Sequence, residues 1–170
     1  MKRVTLATVT MLVLSLSLAV AAPKANFTGT WVMDSARSEG VQAGVEHTMT
    51  LTQSEDKLVL ENRIKSQQGD LTVNDTYIIN GKEVEFSQKV NDLESKGKRT
   101  SKWLADGSGF ESSEEVTRQA SDGTQIPQQV TRKFVMAADG KSFTVEMSVK
   151  GPNGTQQTKR VFVKKLVLKP

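Results

Sequence analysis

The chain has 170 residues, a formal charge of +4 and no cysteine. That length suits one domain, and without cysteine neither a disulfide framework nor a lipidated cysteine can form. Aromatic residues make up only 5% and the basic residues are scattered, which excludes a nucleic-acid groove built on charge and stacking.

Lys2 and Arg3 precede an apolar run, Val4 to Leu18, and then Ala19-Val20-Ala21. This order is that of a secretory signal peptide, with a positive start, a short apolar stretch and a small-x-small cleavage site. Cleavage after Ala22 would place Pro23 directly behind the cut, so the bond after Ala21 is the expected one. The predicted organisation is a signal peptide over 1–21 and a single domain over 22–170. Loss of Lys2 and Arg3 lowers the charge to +2. No later stretch is apolar enough to span a bilayer. A cysteine-free exported chain points to the periplasm or the exterior of a bacterial cell.

The mature chain alternates apolar and polar residues with period two, the pattern of half-buried strands. Thr28 to Asp34 is a first strand around Trp31. Ser35 to Gly44, with two glycines, is an Ω-like loop or a single helical turn. From Val45 to Ser54, His47, Met49 and Leu51 alternate with threonines. Lys57 to Lys65 places Leu58, Leu60 and Ile64 on one face, with Val59, Glu61 and Arg63 on the other. Leu71 to Ile79 follows, then Asn80-Gly81, a strong hairpin signal because a type I′ turn needs positive φ at both positions. Strands are expected next over Glu83 to Val90, Arg99 to Ala105, Phe110 to Arg118, Val130 to Met136 and Ser142 to Val149. The last runs from Thr158 to Leu168. Asp106-Gly107, Asp122-Gly123, Asp139-Gly140 and Pro152-Asn153-Gly154 supply the turns.

Tight turns between consecutive strands make an antiparallel meander of about eight to ten strands with no major helix. Such a sheet leaves two aggregation-prone edges unless it curls into a closed up-and-down barrel. A two-sheet sandwich needs longer crossing connections than these turns supply.

Phe27-Thr28-Gly29-Thr30-Trp31, opening an all-β meander, resembles the Gly-x-Trp signature of the calycin superfamily, which holds lipocalins and fatty-acid-binding proteins. The wider stretch Phe27 to Ser38, with Lys133 to Lys141, resembles small secreted lipocalin-like bacterial proteins of unassigned activity. The resemblance implies that Gly29 and Trp31 close one end of the barrel and that a basic residue late in the chain packs across Trp31. Arg160 is the candidate for that residue. Two features depart from the pattern: no lipocalin-type helix follows the last strand, and Ser35 to Gly44 is too short for the helical lid of fatty-acid-binding proteins.

No catalytic constellation emerges. Glu83 and Glu85 share a face, but Val84 and Phe86 claim the interior. Adjacent Glu114 and Glu115 point to opposite faces, and no Gly-x-Ser-x-Gly occurs. A zinc site is excluded by one histidine and no cysteine. His47 is a satisfied core or rim histidine in one reading and a haem ligand in the other. The sequence therefore calls for no enzyme activity, metal or cofactor. The apolar cavity candidates are Met49, Leu60, Tyr77, Phe86, Trp103, Phe134, Phe143 and Met147, with Arg63, Asp75 and Arg132 as polar groups among them. Two functions stay open. One is non-enzymatic binding of a small hydrophobic ligand, entering at the end opposite Trp31. The other is a structural or protein-interaction module of the cell envelope with a filled barrel core.

Overall fold

The computed structural model describes residues 22–90 and 93–165. The expected signal peptide and the end of the expected last strand lie outside these residues. Ten antiparallel strands make up the fold: β1 (Gly29–Met33), β2 (Glu46–Ser54), β3 (Lys57–Ser66), β4 (Gly69–Ile78), β5 (Glu83–Val90), β6 (Leu93–Trp103), β7 (Gly109–Gln119), β8 (Gln125–Met136), β9 (Ser142–Gly151) and β10 (Gly154–Lys164). Chain neighbours pair with one another, and β10 returns to pair with β1. The sheet is thereby a nearly closed barrel. At one boundary, between β4 and β5, no main-chain ladder joins the strands among the described residues.

The turns follow their sequence chemistry. Asn80, Asp106, Asp122 and Asp139 each accept the N–H two residues later through the side-chain oxygen. A glycine with positive φ follows each of them. The segment between β1 and β2 contains turns and no helix. Its start is tied to β10. Asp34 N–H donates to the Val161 carbonyl, and the Ser38 hydroxyl accepts from Val161 N–H.

Three strands begin four or more residues earlier than their sequence suggests. β6 starts at Leu93 rather than Arg99, β8 at Gln125 rather than Val130 and β10 at Gly154 rather than Thr158. The inward positions at the start of β6 are Leu93, Ser95 and Gly97, too polar or too small to write an apolar alternation. Gly97 is required by packing. A Cβ there would lie 2.0 Å from the Glu115 carbonyl oxygen of β7.

One end of the barrel is sealed by the segment before β1. Phe27 is fully buried and makes edge contacts with Phe110 and Phe143 at ring-centroid distances of 5.8 and 5.6 Å. Trp31, also fully buried, donates its indole N–H to the Phe27 carbonyl at 2.8 Å and packs edge-on to Phe143. Gly29 has φ of +143°, and a Cβ there would meet Lys164 at 3.1 Å.

The cation across Trp31 is Lys164, not Arg160. Lys164 pairs with Trp31 in the β1–β10 register, and its Nζ lies 5.2 Å from the indole centroid. Arg160, Phe162 and Lys164 share the inward face, so Arg160 sits two inward positions further along, beyond the end of β1.

Candidate functional site

Seven of the nine aromatic residues are buried to within 1% exposure: Phe27, Trp31, Tyr77, Phe110, Phe134, Phe143 and Phe162. Phe27 touches Phe110, Phe134 and Phe143, and Tyr77 packs on Phe110 and Phe134. This concentration of bulk beside the sealed end leaves the other half under-filled. A cavity of about 550 Å³ occupies that half.

Of the residues singled out from the sequence, Met49, Leu60, Tyr77, Phe134 and Met147 line the cavity, as do Asp75 and Arg132. Four do not. Phe143 faces inward but is locked between Trp31 and Phe162 at the sealed end. Trp103 is half-buried, and its indole N–H donates to Asp56 at 3.0 Å. Phe86 lies under the Arg99 guanidinium. Arg63 is on the outer face of β3, where it pairs with Glu61; the alternation that turns Leu60 and Ile64 inward turns Arg63 outward.

His47 lines the cavity. Its Nε2 is 3.0 Å from Asn62 Oδ1, and its ring packs edge-on to Phe162. Because Asn62 Oδ1 can only accept, Nε2 carries the proton and is engaged in the wall. Burial pushes the imidazole below its usual range, the Asn62 hydrogen bond opposes this, and nearby Arg160 adds to the lowering. Among the described residues no group of three or more His, Cys, Asp or Glu converges on a metal position.

A charged cluster lies on the side of the β4–β5 seam and contributes Asp75 and Arg132 to the cavity floor. Arg99, 1% exposed, projects from β6 past β5 to the edge strand β4. Its guanidinium makes a bidentate pair with Asp75, at 2.7 and 2.9 Å, and donates to the Thr76 carbonyl at 2.8 Å. Asp75 in turn accepts Thr76 N–H at 2.8 Å. Both main-chain groups of Thr76, which a paired β5 would engage, are thus satisfied by this ion pair.

The guanidinium carbon is 4.2 Å from the ring centroids of both Tyr77 and Phe86. Nε donates to Glu114 at 3.0 Å, and Arg132 donates to the same carboxylate oxygen. Burial disfavours the charge on Arg99 and on Arg132. The partners more than offset it, so both are held above the usual arginine range. Tyr77, fully buried, is raised well above the ordinary phenol range by desolvation and stays protonated. The sequence did carry a signal for this cluster. Arg99 is in phase with Ser101 and Trp103, and Glu114 with Ser112 and Val116.

No family model and no curated protein matches the chain. Among solved structures it is similar to zebrafish ileal bile acid-binding protein in complex with cholic acid. The TM-score is 0.51 at 15% identity, over 82% of this chain and 98% of that chain. The likeness is one of fold, an antiparallel β-barrel. The barrel here has no helical lid among its described residues and carries a charge cluster at the seam.

Two outcomes are expected. Arg99→Met leaves Asp75 and Glu114 short of their shared cation and Thr76 uncapped. Urea denaturation is expected to show a loss of about 3–5 kcal/mol, the usual result of breaking a buried pair from one side. For His47 the folded-state value lies below the 6.5 of the unfolded chain. Its contribution to stability is therefore present above pH about 6.5 and lost as pH falls through the folded value. The denaturation midpoint of the wild type should drop relative to His47→Gln between pH 7.5 and pH 5.

Proposed function

We propose that this protein is an exported, non-enzymatic carrier or sensor that holds a small, largely apolar organic molecule inside its barrel. The observation that carries this reading is the cavity. Its volume, about 550 Å³, falls within the roughly 300–1,000 Å³ of small-molecule sites. Met49, Leu60, Val73, Phe134, Val145 and Met147 supply an apolar wall, and a few polar groups stand among them. That composition suits a ligand with an apolar body and few polar atoms. The architecture shared with a bile acid-binding protein supports the same reading. A barrel filled by its own side chains, as a purely structural module would have, is disfavoured by the empty half.

The non-enzymatic part rests on the state of the polar groups. The Arg99, Asp75, Glu114 and Arg132 side chains hold one another, and the Ser101 and Ser112 hydroxyls hydrogen-bond to each other at 3.0 Å. Export rests on the sequence at the amino end, read as a cleavable signal.

Protein purified from its native compartment without detergent or organic solvent is expected to carry an organic molecule of one or a few species. Mass spectrometry of the native complex should show that mass added, and Met147→Trp should weaken its retention by filling the cavity. A ligand-free protein that binds no apolar probe would contradict the reading.

A further inference from the structure

The charges facing the barrel interior are unevenly placed. Arg99, Arg118, Arg132 and Arg160 stand on inward positions of β6, β7, β8 and β10, with Asp75 and Glu114 as the carboxylates among them. A fifth inward cation, Lys164, lies across Trp31 at the sealed end; in the rest of the interior four cations stand against two anions, a surplus of two. The surplus is not at the floor, because Arg99 and Arg132 are committed to Asp75 and Glu114. It resides on Arg118 and Arg160. Arg118 is exposed, lines the cavity and makes no side-chain hydrogen bond or ion pair among the described residues. It sits one residue before the end of β7, at the open end. Arg160, half-buried, also lines the cavity. Its hydrogen bonds go to main-chain carbonyls, those of Glu39 and Lys159, and among the described residues it forms no ion pair with a carboxylate. Glu39 belongs to the segment that leaves β1 at the open end.

Below these two arginines the wall is apolar. Met49, Leu60, Phe134, Val145, Met147 and Phe162 form it. A neutral apolar ligand would leave both surplus cations without a partner. A ligand with its anionic group at the floor would meet a cluster already neutral and would leave the mouth arginines unmatched.

From this placement we propose that the ligand is an amphiphile with an oxyanion head, held head-outward. The head sits between Arg118 and Arg160 at the mouth, and the chain points down to Phe134 and Met49. This rests on the cavity-binding reading above and adds to it the ligand class and orientation. A phosphate, sulfate or carboxylate head supplies the shared chemistry, because guanidinium donors pair with such oxygens through charge-assisted hydrogen bonds. A head at the mouth meets solvent, so its size is not limited by the cavity volume.

The test is calorimetric titration with dodecyl phosphate, dodecanoate, dodecanol and dodecyltrimethylammonium, all below their micellar concentrations. The two anions are expected to bind about tenfold or more tightly than the alcohol, with the cation weakest. The advantage should shrink as salt is raised. Arg118→Gln/Arg160→Gln should abolish the preference while leaving dodecanol affinity in place, which also reports that the variant is folded. Arg118→Lys/Arg160→Lys should restore much of it.

Crystals grown with a dodecyl phosphate brominated at its far end should give an anomalous bromine peak near Phe134 and Met49. Equal affinity for dodecanol and dodecyl phosphate, or a bromine peak at the mouth, would overturn the inference while leaving the carrier reading standing. Failure of all four probes to bind would overturn the carrier reading itself.

Discussion

A guanidinium closes this barrel where the backbone does not. Among the described residues nine strand boundaries are joined by main-chain ladders, and the tenth, between β4 and β5, is not. An open edge exposes unpaired N–H and C=O groups, a hazard that sheets manage by covering or capping them. Arg99 manages it from two strands away. It is clasped between the Tyr77 and Phe86 rings, held by Asp75 and Glu114, and donates into the edge strand at Thr76. A buried ion pair is costly to desolvate, and here the cost is offset because the pair also does the hydrogen bonding of an absent strand contact. The same cluster forms one side of the cavity floor. Closure of the wall and electrical neutrality of the floor are therefore one arrangement.

The distribution of bulk follows from the sealed end. Phe27 enters from outside the sheet and brings Phe110, Phe134 and Phe143 around it, while Trp31 fixes Phe27 through its carbonyl. With so few aromatic residues in the chain, their gathering at one end leaves aliphatic and polar side chains to line the other. Those are too short to meet across an interior of this width. The hollow is thus a result of where the large side chains are spent, and the polar rim marks where it meets water.

Much of this was legible in the residues. The Asp-Gly turns, the alternation from Ser142 to Val149 and the pairing of Gly29 with Trp31 each state a local conformation, and the structure has them. Asn80-Gly81 turns the chain but makes no type I′ hairpin: only Gly81 has positive φ, and β4 and β5 do not pair among the described residues. Other features depend on partners far along the chain. Lys164 and Arg160 both face inward on β10, and only the register between β1 and β10 decides which lies across Trp31. The start of β6 hides because Ser95 and Gly97 hold inward positions there; at Gly97 the β7 backbone leaves no room for a Cβ. Arg99 is in phase with Trp103, but its role is set only when Asp75, two strands earlier, is placed against it. Whether Phe143 and Met147 make core or cavity wall depends on which aromatics cluster, and alternation assigns both to the same face.

The central claim is that the hollow half, and not the outer wall, receives a ligand. Methyl resonances test it most directly. On titration with dodecyl phosphate, the methyls of Met49, Leu60, Val73, Val145 and Met147 should shift and saturate together. That of Val59, exposed on the outer face of β3, should stay in place. Shifts confined to Val59 and its outer-face neighbours, with the inward methyls unmoved, would contradict the account.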